Sequence, residues 1–194
     1  MLEDKIKEEI SNLAISTRAA SYEIAKASSE KKNILLETII SGIHDSKDKI
    51  LNANQLDLDS IKDKNHTNAF IERMTLDEKK IQQMQKNIED VIKLEDPVGR
   101  REHLSSRPNG LNVYKQSIPL GVISIIYESR PNVTSDAAVL CLKSGNATVL
   151  RGGSECFHTN TVIIEIIKDS LTKCGFNPNC INMIPITDRE ALKY

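Results

Sequence analysis

Ala147-Thr148-Val149-Leu150 runs without a break into Arg151-Gly152-Gly153-Ser154-Glu155. A short apolar run, a two-glycine turn and a helix-forming stretch over 154–173 read as buried strand, tight turn and helix. Gly175 closes that helix, and an apolar run over 181–185 reads as another buried strand. Upstream, 121–127 is strand-like, and 133–144 suits a helix that ends near Gly145. Strands alternating with helices imply right-handed crossovers and a parallel sheet. The strands are nearly all apolar, as sheets covered on both faces require. The fold class read from this pattern is α/β, with N-terminal helices packed on a partial doubly wound parallel sheet.

The chain changes grammar near residue 96. Residues 1–95 contain one glycine, Gly42, and no proline. Ile6, Ile10, Leu13 and Thr17 follow helical spacing, as do Ile34, Leu35, Ile39, Ile40 and Ile43. A third stretch over 46–64 carries Ile50, Leu51, Leu58 and Ile61. Thr75-Leu76-Asp77-Glu78 has capping-box spacing, with Thr75 as N-cap, ahead of Ile81, Met84, Ile88, Val91 and Ile92. Asp96-Pro97-Val98-Gly99 breaks the helical pattern. Arg107-Pro108-Asn109-Gly110 is a turn signal before a strand-like run over 111–116. The expected organisation is a helical part over 1–95 and an α/β unit over 96–194.

Composition narrows the function classes. Twenty-six basic and 27 acidic residues give a formal net charge of −1, so neither nucleic acid nor an anionic membrane is expected as a partner. No 20-residue apolar span suggests a transmembrane helix, and the charged start, Met1-Leu2-Glu3-Asp4-Lys5, gives no reason to expect a secretory signal. The cysteines at 141, 156, 174 and 180 include no Cys-x-x-Cys pair, and only four histidines occur, so no zinc site is expected. Reduced thiols in a cytosolic protein are the default.

Chemistry is expected where parallel strands end, because ligands of doubly wound sheets sit outside the carboxyl ends of the strands. The first candidate is the turn Arg151, Gly152, Gly153, Ser154 and Glu155. A helix start offers free amides to a phosphate, glycine admits close approach, and arginine forks onto phosphate oxygens. A plain strand-to-helix turn explains the same residues equally well. The second candidate is Tyr127-Glu128-Ser129-Arg130-Pro131-Asn132. Arg130 suits a substrate carboxylate or phosphate, and Asn132 suits a developing oxyanion; Asn132 as helix N-cap with Arg130 on the surface is the plainer alternative. Cys141 reads as core. Cys156 sits in a helix first turn, but reads as a packing residue. No residue of the chain is a convincing catalytic group.

These segments also resemble a known family. The run 118–122, the run Ile126-Tyr127-Glu128-Ser129-Arg130-Pro131-Asn132-Val133-Thr134, and Cys141-Leu142-Lys143-Ser144-Gly145-Asn146-Ala147 through Leu150 to Glu155 look like the signature of gamma-glutamyl phosphate reductases. The likeness extends over essentially the whole chain. It implies an aldehyde-dehydrogenase-like fold, NADP(H) as cofactor, gamma-glutamyl phosphate as substrate, and a place in proline biosynthesis. It also implies that Arg151 to Glu155 hold the adenosine ribose and its 2′-phosphate, that Arg130 and Asn132 face the substrate, and that a homo-oligomer can form. The family's nucleophilic cysteine lies in a catalytic domain absent from this chain. A second capping box, Thr187-Asp188-Arg189-Glu190, opens a helix with only seven residues to Tyr194, so a truncated, inactive part of the reductase is the expectation. The alternatives are another acyl-phosphate or CoA-linked aldehyde dehydrogenase relative, and a non-enzymatic helical interaction module.

Overall fold

A computed structural model describes residues 2–63 and 65–185; the 187–190 capping box lies outside them. Five helices come first: α1 (Leu2–Ile24), α2 (Ser29–Asp45), α3 (Lys47–Ser60), α4 (Asn68–Met74) and α5 (Glu78–Lys93). A ribbon of β1 (Arg101–Ser106) and β2 (Asn112–Gln116) follows. Then come β3 (Val122–Ile126), α6 (Pro131–Lys143), β4 (Ala147–Arg151), α7 (Phe157–Lys173) and β5 (Ile181–Met183).

The sheet has the order β3-β4-β5 and both pairings are parallel. The fold is α/β, as the alternation of strands and helices requires. In β4, Ala147, Thr148, Val149 and Leu150 are all buried. Successive side chains of a strand point to opposite faces, so both faces of this middle strand are covered. Helix α1 lies against all three strands, and α6 and α7 pack on β4 and β5.

One apolar core joins the helices to the sheet. Leu35, Ile39 and Ile43 of α2, Met84 and Ile88 of α5, Val139 and Leu142 of α6, and Ile163 and Ile167 of α7 belong to a single cluster with Leu150 and Ile181. The helical period in the first half therefore marks a face buried against the α/β elements. Ile34 is the exception, standing 48% exposed while Leu36 takes the buried place.

One local expectation needs correction, and two elements carried no signal in the sequence. Thr75 does not cap α5: its hydroxyl donates to the Ile71 carbonyl at 2.8 Å, as the last turn of α4 closes. Asp77 is the N-cap, accepting from the Lys80 amide at 2.7 Å. Helix α4 and strand β1 had no periodic signal. β1 is exposed at five of six positions and pairs antiparallel with β2 through the expected 107–110 turn, where Gly110 takes a φ of 87°. The run over 111–116 therefore belongs to this ribbon and not to the parallel sheet.

Candidate functional site

The sheet register places the two predicted segments side by side. Ile126 pairs with Arg151 at the carboxyl ends of β3 and β4, and the Tyr127 amide donates to the Arg151 carbonyl at 3.0 Å. The chain beyond β3 and the turn beyond β4 then leave the sheet together. Side chains bind them further. The Ser129 hydroxyl donates to Glu155 Oε2 at 2.5 Å. The Tyr127 hydroxyl shares a hydrogen bond with Thr134 at 2.7 Å, and Thr134 donates to Asn160 Oδ1 at 2.7 Å. Burial pushes the Tyr127 phenol up to about 12, partly opposed by the Thr134 bond.

The two glycines serve this closeness. A Cβ on Gly152 would collide with the Asn160 amide and crowd the Tyr127 ring, and one on Gly153 would collide with the Ser129 hydroxyl. The space a side chain would need is filled by protein, so packing alone already demands glycine at both positions.

The helix start differs from the sequence expectation. Residues Ser154–Cys156 form a 3-10 turn, and α7 begins only at Phe157. Its amides are taken by a carboxylate from α3: Asp57 accepts from the His158 amide at 3.0 Å and from the Thr159 amide at 2.8 Å. The anion at this helix terminus is therefore the protein's own. Any phosphate held by the 151–155 turn meets the Arg151 side chain, the Ser129 and Ser154 hydroxyls and the turn backbone, not the α7 amides.

Two cavities open beside these segments. One, of about 370 Å³, is lined by Phe70, Arg73, Tyr127, Glu128, Ser129, Arg151, Gly153 and Glu155. The other, of about 390 Å³, is lined by Arg73, Lys80, Gln83, Met84, Asn87, Arg130, Asn132 and Val133. The sequence candidates thus divide between them: the 151–155 turn contributes to the first, and Arg130 and Asn132 to the second. Arg73 lines both.

Arg130, not Asn132, is the N-cap residue of α6, and it makes no side-chain capping bond. Asn132 lies inside the first turn and donates its amide to Asp136 Oδ2 at 3.2 Å, while Asn87 donates to Oδ1 at 3.2 Å. The carboxyl of Glu155 is held below its ordinary value. Burial pushes it up, but hydrogen bonds from Ser129, its own amide and Ser154, with the charge of His66, outweigh that.

Arg73 and Asp57 were invisible to motif reasoning. Helix α4 is seven residues long, and Asp57 is one acid among many in a charged helix. What places them is buried polar contact from α3. Asn54 donates to the Met74 carbonyl at 2.9 Å and accepts from the Leu76 amide at 2.7 Å, fixing the end of α4. Met74, Ile61 and Cys156 form a small second core, which seats α4 against the 3-10 turn. Cys156 is fully buried, and its thiol is pushed up to about 12 by burial and by the charges of Asp57 and Glu155. It is a packing residue. Among the described residues no group of His, Cys, Asp and Glu could hold a metal ion, and no helix is long and apolar enough to cross a membrane.

No protein-family model matches the chain. Among curated proteins, gamma-glutamyl phosphate reductase of Desulforapulum autotrophicum is 44% identical over 183 residues, which are 94% of this chain and 44% of that protein. The crystal structure of the Thermotoga maritima gamma-glutamyl phosphate reductase is 34% identical, covers 92% of this chain and 43% of its own, and superposes with a TM-score of 0.89. An acetylating aldehyde dehydrogenase from Geobacillus thermoglucosidasius shares the fold at 16% identity, covering 98% of this chain and 39% of its own with a TM-score of 0.72. The chain spans about 44% of the curated relative it matches. Over nearly its whole length the chain is therefore a homologue of gamma-glutamyl phosphate reductase, matched to a segment of less than half of that protein.

Proposed function

We propose that this chain is the amino-terminal, nucleotide-binding part of an NADPH-dependent gamma-glutamyl phosphate reductase of proline biosynthesis. In that reading it binds the cofactor through Arg151, Gly152, Gly153, Ser154 and Glu155, and faces the substrate with Arg130 and Asn132. The observation that carries it is the register of β3 on β4, which joins both segments at the carboxyl end of one parallel sheet.

The residues fit the cofactor. Arg151 and Arg73 line one cavity with the Ser129 hydroxyl and the Glu155 carboxylate. Guanidinium groups suit the 2′-phosphate, and a carboxylate held ionised suits a ribose hydroxyl. When bound, NADPH supplies hydride to the acyl group. This chain's own share is to bind and orient. Arg130 and Arg73 hold the substrate's anionic groups in the adjoining cavity. Three of its cysteines are buried, and Cys174 lies beside Thr38, away from both cavities. The nucleophilic thiol therefore belongs to the rest of the parent enzyme.

Titrating the purified chain with NADPH and NADH tests the cofactor half of this reading. Arg151→Ala should weaken NADPH by on the order of 1.5–3 kcal/mol, the worth of a charge-assisted contact, and affect NADH less. Equal NADPH affinity before and after the substitution would remove Arg151 from the site. Acyl-phosphate reduction by the full-length gene product tests the reaction itself.

A further inference from the structure

Glu128 sends its carboxylate between two guanidinium groups that come from different elements. Its Oε2 lies 3.5 Å from Arg73 Nη1 on α4 and 3.7 Å from Arg130 Nη2 at the start of α6. Good charge-assisted hydrogen bonds run to about 2.7–2.9 Å, so this carboxylate is near both arginines and bound tightly to neither. It is 74% exposed, and the arginines are 44% and 48% exposed.

Both arginines line the same cavity, with Lys80 beside them and Met84 and Val133 as apolar wall. Lys80 lends charge but has little freedom, because its ammonium donates to the Glu72 and Thr75 carbonyls at 2.6 Å each. The opposite charge sits elsewhere. Asp136 is held behind Asn132 and Asn87 by their amides. The cavity is therefore polar in the electrical sense, cationic toward Arg73 and Arg130 and acidic behind Asn132. With Glu128 in place, its carboxylate offsets part of the guanidinium charge at the arginine end. With Glu128 swung into solvent, the arginine end is left with two unneutralised guanidinium groups, the charge that a phosphoryl dianion complements.

We propose that Glu128 is a resident counter-ion which occupies the Arg73–Arg130 cradle and yields it to the phosphoryl group of an acyl phosphate. The inference rests on reading this cavity as the substrate side of the site. The swap breaks no covalent bond: one carboxylate leaves for water, and one phosphoryl group takes its two contacts. It makes Glu128 a specificity device, because a weakly anionic ligand does not displace it while a dianion does.

Inorganic phosphate and glutarate, titrated into the purified chain by calorimetry, are the probes. Glu128→Gln removes the competitor from an exposed site and should tighten phosphate about two- to fivefold, the range for exposed ion pairs. Arg130→Ala should weaken phosphate about tenfold or more. Arg73→Lys keeps the charge but loses the fork, and should fall between, with circular dichroism confirming that each variant is folded. Phosphate affinity unchanged or weakened in Glu128→Gln overturns the proposal, as does equal affinity in the wild-type chain and Arg130→Ala. A response confined to glutarate overturns the phosphoryl assignment. A cradle that behaves as expected in a chain unable to bind NADPH would leave this inference standing and sink the proposed function instead.

Discussion

Asp57 grips Thr159 twice, accepting from its amide at 2.8 Å and from its hydroxyl at 2.6 Å. The same carboxylate takes the His158 amide, so one buried side chain of α3 caps the helix that follows the candidate cofactor turn. Asp57→Ala strands these donors. It should cost about 2–3 kcal/mol in urea unfolding, between the worth of an N-cap and that of a bond to a buried charge. Asp57→Asn keeps an acceptor and should cost clearly less. Equal losses for the two variants would mean that the capping bonds are not what stabilises this junction.

Gly153→Ala should destabilise by about 1–3 kcal/mol through overpacking, since its Cβ would meet the Ser129 hydroxyl. The two positions touch, so their effects should not add. In a Ser129→Ala background the obstructing oxygen is gone, and the same glycine substitution should cost less. A double-mutant cycle on thermal unfolding measures the difference.

The Ser129 bond also has a pH signature. Because the Glu155 carboxyl is held below its ordinary value in the folded chain, it contributes stability that is present above the unfolded pKa, about 4.3. That contribution is lost as pH falls through the folded pKa. Ser129→Ala should therefore cost on the order of 1 kcal/mol at neutral pH. The gap from wild type should close below about pH 4. A gap constant from pH 7 to pH 3 would exclude Glu155 as the partner that matters.

Asp96 neutralises a buried pair of ammonium groups. It forms an ion pair with the fully buried Lys32, and Lys143 lies close by, donating to Asn33 Oδ1 at 2.6 Å and to the Ile92 carbonyl at 2.9 Å. Burial lowers the Lys143 pKa, Asp96 raises it and Lys32 lowers it. Asp96→Asn should cost about 3–5 kcal/mol at neutral pH, the loss expected for breaking one side of a buried pair. A lysine lowered on folding binds its proton less well in the folded chain, so stability should recover as pH rises toward the unfolded value near 10.4. Unfolding midpoints of the variant at pH 7 and pH 9.5 test the sign.

Thiol chemistry provides an inexpensive check on burial. Cys141, Cys156 and Cys180 are buried, and burial raises all three thiols, the latter two to about 12. Thiolate is the reacting form. At pH 8 one thiol per chain, Cys174, should react promptly with a disulfide reagent, and the other three only after denaturation. Prompt reaction of Cys156 would contradict its place in the small core.

What the sequence made legible follows from what each signal depends on. The parallel sheet was readable because β4 opens on Ala147, Thr148, Val149 and Leu150, a nearly continuous apolar run that burial on both faces explains. Helix ends at Gly145 and Gly175 were readable because each takes a positive φ, 72° and 75°. Strand β1 was not, since an exposed ribbon needs no alternation of apolar and polar residues. The α5 cap was misread because Thr75 and Asp77 offer overlapping cap spacings, and only the close of α4 decides between them. At the site, the two candidate segments were visible through their strand-ending positions. Asp57 and Arg73 were not, because a carboxylate satisfied by two distant amides and an arginine brought in by a short helix leave no local trace. The glycines of the turn were noticed for a ligand's approach, whereas the chain itself fills the space they leave.

The core shared by α2, α5, α6 and α7 has a consequence for how this chain comes apart. Its apolar contacts run across the change of grammar near residue 96, so the first ninety-odd residues have no interior of their own to retreat to. Amides in the middle of α2 and of α7 should then exchange with solvent at the same slow rate, governed by one global opening. A protease nick in the segment between α5 and β1 would release no folded helical piece. The helices and the sheet form one cooperative object, and whatever the site binds will register its stabilisation as far away as Leu35 and Ile39.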